Sequence, residues 1–414
     1  VYVVATTEPD ETINAAELME RERERRRQFH DRDAVRAALC AAADAFLVQR
    51  RDHGLSIVAG FPWHGESGRS AMIALPGLLL NTRRYEEARR VLVTFAAHCN
   101  RGLIPNLLPL SGGQAAYNSV DASLWFVVAA WKYWKTSRNK AAMAELLPTL
   151  REILRWYRDG THHGIGAADD GLIVAGGAGS QLTWMDVKIE GYVPTPRHGK
   201  PVEINALWFN ALLMLAEVEE AVGGNPQAAE QLRTQAGHVA ASFLKTFWNS
   251  DGGYLFDVVQ DGFRDPSIRP NQIFAVGLPF SPLSAEQQTS VLKVVTEQLL
   301  TPYGLRTLSP NHEKYAPHYR GTRWQRDAIR HQGTVWPFLI GAYADAFLRV
   351  HGSGENQRQR LRELIGPLLE HLEQAGLGSV SEMFDAEPPH CPAGCPAHAC
   401  GVAELLRAYE LCRG

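Results

Sequence analysis

Five stretches of the sequence set carboxylates beside tryptophan, amides and arginine. They are "FPWHGESGRSAM", with Trp63, His64, Glu66, Arg69 and Ser70, and "IPNLLPLSGGQAAYNSVDASLW", with Asn106, Tyr117, Asn118, Asp121 and Trp125. Next come "QLTWMDVKIEGYVPTPRHGKPVEINALW", with Trp184, Asp186, Lys188, Arg197 and Glu203, and "RWQRDAIRHQGTVWPF", with Arg326, Asp327, His331, Gln332 and Trp336. The last, "GSVSEMFDAEPPHCPAGC", holds Glu382 and Asp385. A sugar site needs this mixture: tryptophan faces cover the apolar C–H face of a ring, while Asp, Asn and Arg answer its hydroxyls. Cleaving a glycosidic bond further requires two carboxyls, one protonated to donate to the leaving oxygen and one ionised. Asp186 and Glu382 fit those roles because each lies mid-loop, away from the helix starts where acids ordinarily act as caps. Asp121 and Glu203 also suit simple first-turn acids, and Trp125, Trp208 and Trp336 suit a core.

Three other chemistries compete for the same residues. Gly65-Glu66-Ser67-Gly68 resembles the turn that presents a nucleophilic serine, but Arg69 breaks the Gly-x-Ser-x-Gly pattern and no convincing hydrolase strand within a βα fold precedes it. Ser67 is therefore not read as a nucleophile. His390, Cys391, Cys395, His398 and Cys400 bunch near the C-terminus in a spacing that matches no standard zinc site, so no metal and no cofactor are expected. A sugar epimerase or isomerase would lean on His64, His331 or His398, against which the two carboxylates argue.

The elements that must position these loops are helical nearly throughout. About twelve segments show the i, i+3, i+4 apolar spacing: 33–51, 68–81, 85–99, 119–136, 140–159, 202–222, 226–248, 269–279, 284–299, 331–350, 357–375 and 397–412. A charged stretch near 12–30 reads as a solvated linker helix. Connections alternate between long and short. Long ones fall at 52–67, 100–118, 160–201, 249–268, 300–330 and 376–396, and short ones near 82–84, 137–139, 223–225, 280–283 and 351–356. If successive helices run antiparallel, all long loops emerge at one end. The expected fold is all-α, an (α/α)6 barrel of six hairpins over 33–414, preceded by an N-terminal segment and linker helix over 1–32, with the function at the long-loop end. No self-similar period supports a solenoid.

The 414 residues carry a formal net charge of −3, with no basic footprint for nucleic acid or an anionic membrane surface. No run of 18 apolar residues exists, and "VYVVATTEPDE" lacks the basic start and apolar core of a signal peptide. A cytoplasmic chain with its six cysteines reduced is expected. The opening Val-Tyr-Val reads as the end of a strand whose upstream part has been removed.

From about residue 40 onward the chain resembles the C-terminal, amylo-α-1,6-glucosidase domain of glycogen debranching enzymes. The resemblance is carried in order by "AGFPWHGESGR", "GLIPN", "YNSVDASLW", "LTWMDVK", "PTPRHGKPVEINALWFNAL", "SIRPNQIFAVGLP", "LLTPYGLRTLSP", "HQGTVWPFLIGAY" and "GSVSEMFD". It implies an (α/α)6 barrel of the glucoamylase-like type that removes single glucose residues from α-1,6 branch stubs of a glycogen-like glucan with inversion. Asp186 would be the general acid and Glu382 the general base. Trp63, Glu66, Arg69, Ser70, Asn118, Asp121, Trp184, Lys188, Glu203, Arg326, His331, Gln332 and Trp336 would bind substrate. An upstream β-rich or transferase domain would complete the full-length relatives. Inversion needs room for a water, so the carboxyls should stand roughly 6.5–9.5 Å apart, with Asp186 kept protonated by a desolvated, Trp-lined setting.

The sequence departs from the family pattern in places. Where Arg-Asp is usual, Arg69 is followed by Ser70; where Gln-Ala-Trp is usual, His398-Ala399-Cys400 stands; and Arg330 takes an aromatic position. Loss of a charged acceptor at residue 70 would cost about 1.5–3 kcal/mol, or roughly ten- to a hundredfold in affinity. Another α-glucoside, or a non-catalytic glucan-binding role, is the alternative these changes raise.

Overall fold

The computed structural model describes residues 14–27, 32–109, 113–376 and 378–414. Among these, the helices are α1 (Ala15–Arg27), α2 (Ala34–Asp44), α3 (Gly68–Leu75), α4 (Tyr85–Ala97), α5 (Ala122–Ser137), α6 (Lys140–Asp159) and α7 (Val202–Val218). They continue with α8 (Pro226–Phe247), α9 (Phe274–Gly277), α10 (Ala285–Leu299), α11 (Arg323–Ile329), α12 (Leu339–His351), α13 (Glu355–His371) and α14 (Ala399–Arg413). The expected N-terminal strand end lies outside the described residues, as does the end of the linker at 28–31. The part that is described, α1, buries no residue and is laced by near-neighbour ion pairs such as Arg21–Glu17. It is the solvated helix its charge pattern predicts.

Helix contacts run in a cycle. α3 packs on α5, α5 on α7, α7 on α9, α9 on α12, α12 on α14, and α14 returns to α3. Outside them, α4 lies against α5, α6 and α8 against α7, α10 against α12, α13 against α12 and α14, and α2 against α14. Composition explains the two layers. α7, "VEINALWFNALLMLAEV", is apolar on nearly every side and almost wholly buried, whereas α6 and α8 bury one face only. One apolar cluster extends from Leu39 to Cys412.

The fold is mostly helical, as expected, with short antiparallel sheets that stitch the long loops together. Several element bounds need correction. The predicted helix over 33–51 stops at Asp44, and the apolar run Leu55–Phe61 forms a buried strand paired with Leu47–Gln49, His64–Glu66 and Ala397–His398. A strand thus does precede Ser67, but in an antiparallel hairpin. Another sheet joins Leu300–Thr301, Gly304–Arg306, Val335–Trp336, Met383–Phe384 and Pro392–Ala393. The helix expected from 331 accordingly begins only at Leu339, after Pro337. α11 forms where a loop was expected, with Thr322 and Gln325 in a reciprocal capping box.

Candidate active site

The two sheets bring the first, fifth and last long loops together at the N-terminal ends of α3, α12 and α14. There they enclose a cavity of about 290 Å³, completed by Asn106, Leu107, Trp184 and Asp186 from the second and third loops. Glu66, Ser67, Arg69 and Ser70 line it from the first loop, Arg330, His331, Trp336 and Phe338 from the fifth, and Glu382, His398 and Cys400 from the last.

Ser67 is a helix cap: its Oγ accepts the Ser70 amide at the start of α3 and donates to Asn106 Oδ1 at 3.4 Å. Arg69, one residue into the helix, is almost completely committed. Its Nε donates to both oxygens of Asp121 at 2.8 and 2.7 Å, and its Nη2 donates to the carbonyls of Leu182 and Thr183. Its Nη1 donates to Asp186 Oδ2 at 2.7 Å. Arg69 therefore pins the loop segment Leu182–Thr183 and the carboxylate that follows it. The Asp186 side chain is 36% exposed. The desolvated, tryptophan-isolated setting expected for it is not what surrounds it: one oxygen is ion-paired and the group faces the open cavity.

Glu382 is held on the other side in a different way. Its side chain is 5% exposed, Oε1 takes the Arg330 guanidinium and lies 3.2 Å from His64 Nε2, and Oε2 accepts the Cys395 amide at 2.9 Å. Burial alone would push this carboxyl up, but the neighbouring His64 ring and the Arg330 charge outweigh it and hold Glu382 well below the usual carboxylate range. Gly394, at φ +72°, lets the chain pass close by, since a Cβ there would stand 2.3 Å from Oε2. The ionised state expected for Glu382 is what this geometry produces.

Between the two carboxylates the wall is aromatic. Trp184 meets His331, Trp336 and Phe338 edge-on at 5.1–5.4 Å, and His331 stacks on Trp336. His331 is buried, neither ring nitrogen meets a partner among the described residues, and burial pushes it well below its ordinary pKa. His398 is pushed down to about 4 by burial, against the pull of Glu382. Both are neutral imidazoles at neutral pH. Arg330 lies over the Trp336 ring.

A buried polar network supports that wall. The Trp184 indole N–H donates to Asn271 Oδ1 at 2.7 Å, Asn271 donates to Asp257 at 2.7 Å, and Asp257 accepts Arg197 Nε at 2.8 Å. Arg197 also grips Glu203 through both terminal nitrogens. Arg269 donates to the His331 carbonyl and to Gln332 Oε1, and Gln332 donates to the Pro194 carbonyl.

Of the residues expected from sequence, Glu66, Arg69, Ser70, Trp184, Asp186, His331, Trp336 and Glu382 meet at the cavity. Three others are corrected to supporting positions, because their side chains are spent on protein partners: Asp121 beneath Arg69, Glu203 on Arg197, and Gln332 between Arg269 and Pro194. Trp63, Asn118, Lys188 and Arg326 do not line the cavity and are exposed, Lys188 donating to the Gly179 carbonyl and Arg326 lying over Tyr319. Arg69 pairs instead with Asp121, 52 residues on in sequence. His64, His398 and Arg330 are the additions; His64 stood in the residue mixture of the first loop, and His398 and Arg330 as departures from the family pattern, none with an expected place in the site.

The C-terminal Cys/His group does not converge. Cys391 is exposed, Cys395 Sγ donates to the Ala397 carbonyl, Cys400 Sγ donates to the Ser70 carbonyl, and His390 Nδ1 bonds the Asp385 carbonyl. Among the described residues one trio of ligand types, His64, Glu382 and Cys395, lies within 4.8 Å, but Arg330 already occupies its carboxylate. No helix of the described residues is long and apolar enough to cross a membrane.

The sequence model of the amylo-alpha-1,6-glucosidase family matches residues 41–407. The glycogen debranching enzyme of Saccharomyces cerevisiae (strain ATCC 204508 / S288c) is 26% identical over 397 residues, covering 72% of this chain and 25% of that enzyme. The chain thus spans about a quarter of the length of that curated relative. Among solved structures, a GH63 mannosylglycerate hydrolase from Thermus thermophilus, in complex with Tris, is similar with a TM-score of 0.63 at 15% identity, covering 89% of this chain and 99% of that chain. This last likeness is one of fold.

Proposed function

Since the chain belongs to the amylo-alpha-1,6-glucosidase family of glycoside hydrolases, we propose that it is an (α/α)6-barrel exo-glucosidase that removes glucose from α-1,6-linked stubs of a branched glucan with inversion. The observation that carries this reading is the cavity itself: two carboxylates in unlike settings face one space, walled by Trp184 and Trp336 and by the unpartnered nitrogens of His331. A neutral sugar satisfies such walls, with ring faces against tryptophan and hydroxyls against the neutral imidazoles.

In the proposed reaction, Arg69 fixes Asp186 through Oδ2, leaving Oδ1 to carry the proton that passes to the glycosidic oxygen as the bond to the anomeric carbon breaks. A water hydrogen-bonded to Glu382 attacks the opposite face and gives its proton to Glu382. The Arg330 charge, acting against burial, keeps Glu382 ionised and able to accept. The products are β-glucose and a chain shortened by its stub.

The test is to incubate the protein with a phosphorylase limit dextrin and follow the anomers by proton NMR. Early β-glucose supports the reading. α-Glucose as the first product, or no glucose from any α-1,6-linked substrate, overturns it.

A further inference from the structure

Outside the cavity, few large aromatic side chains of the described residues are exposed, and two of them meet. Tyr192 and Trp324 are 54% and 47% exposed, and their rings stack nearly parallel, 14° apart in plane with centroids at 6.2 Å. They come from different long loops. Tyr192 closes the tight turn with Ile189 that follows Asp186, and Trp324 sits in the first turn of α11, six residues before Arg330. Those six residues rise about 9 Å along a helix, so the stacked pair stands within that axial distance of a residue in the cavity wall.

The surroundings say what such a pair suits. On α11, Arg323 pairs with Asp327 and Arg326 lies over the Tyr319 ring; beside the helix, Arg320 pairs with Asp385 and Arg330 with Glu382. The surface is thus an aromatic step beside the cavity mouth on which most charges are paired. Leaving two large rings half in water costs hydrophobic free energy that a buried position would recover. A neutral polyhydroxylated chain covers such rings with its C–H faces while its hydroxyls stay in water.

We propose that Tyr192 and Trp324 form a second sugar-binding surface, outside the cavity, which holds the α-glucan chain on the leaving-group side of the bond being cut. This rests on the α-glucosidase reading above and deepens it: the cavity takes the terminal sugar, and the platform selects for a polymer over a short substrate. Being exposed, the rings can be removed with little effect on folding, which circular dichroism melting checks.

The experiment compares Trp324→Ala, Tyr192→Ala and the double variant on two substrates, an α-1,6-linked disaccharide of glucose and a limit dextrin. Each single change should lower kcat/KM on the dextrin by about three- to tenfold, the size of one aromatic stacking contact, and leave the disaccharide within twofold. Trp324→Phe should restore the dextrin rate. Equal losses on both substrates, or none on either, overturn the proposal. Electrophoresis through gels containing glycogen, with Glu382→Gln as background, reads the platform independently of turnover. Retardation that disappears in Trp324→Ala supports it even if the assigned reaction fails, and retardation unchanged by the double variant overturns it even if the reaction stands. A change in oligomeric state on gel filtration with glycogen binding intact also overturns it, since the pair would then be a contact between copies.

Discussion

Asp186 and Glu382 face one cavity from opposite environments. Asp186 is about one-third exposed and held by a single arginine at one oxygen, and that arginine is anchored behind it by the buried Asp121. Glu382 is nearly closed off, with Arg330, His64 and the Cys395 amide all turned on it. The first meets water; the second is held in its charged form by the groups around it. An inverting glycosidase needs this asymmetry, and it arises from which cations the loops deliver to each carboxylate, not from the carboxylates themselves.

Removing either carboxylate breaks the comparison most directly. Asp186→Asn and Glu382→Gln should each lower kcat on an α-1,6-linked oligosaccharide by about 10²–10⁴, the usual contribution of a positioned acid or base. An activated substrate separates them. With α-glucosyl fluoride, whose leaving group needs little protonation, Asp186→Asn should recover most of its loss and Glu382→Gln should not. Equal recovery would mean that the roles are not divided as proposed.

The next largest effect lies behind Asp186. Arg69→Met leaves Asp121 buried without its cation and frees Asp186, and removal of one partner from a buried ion pair costs about 3–5 kcal/mol. Denaturant unfolding should show that loss, accompanied by a fall in activity. Arg330→Gln on the other side should cost less stability, since its own side chain is partly exposed. If the two variants unfold alike, the supposed difference in anchoring is absent.

Arg330→Gln instead acts on pH. Glu382 is held below the ordinary carboxylate range in the folded protein, so its charge contributes stability above the unfolded carboxylate value, and the contribution is lost as pH falls through the lower folded value. Removing the Arg330 charge leaves burial to raise the group. The acid limb of kcat/KM should therefore move to higher pH, and stability should begin to fall at higher pH on acidification. His64→Ala should shift both in the same direction. An acid limb that stays in place in both variants would show that another group governs it.

Much of this was legible before the structure. The helices could be read because inner ones such as α7 are apolar all round while outer ones such as α6 bury a single stripe, and the two carboxylates stood out because neither caps a helix. The partners of the carboxylates could not be read. Arg69 meets Asp121 and Asp186 across 52 and 117 residues, and no local period records such a pairing. Asn271, inside an expected helix, and Asp257, in an expected loop, carry no mark of their role, yet they hold Trp184 in place. Strand segments of two or three residues leave too short a pattern to see, although one of them places Trp336 beside the loop of Glu382.

Ser70 offers the smallest and most discriminating change. If residue 70 were the missing half of a sugar clamp, Ser70→Asp would restore it and raise kcat/KM about tenfold or more. The geometry argues otherwise. Arg69 has already given its Nε to Asp121 and its Nη2 to two backbone carbonyls, and its Nη1 serves Asp186. A new carboxylate would find little of that guanidinium left and would stand near two existing negative charges. Ser70→Asp should therefore change kcat/KM on a short α-1,6-linked oligosaccharide by less than about threefold, and downward if at all. A large gain would show that residue 70 is the charged acceptor the family pattern places there.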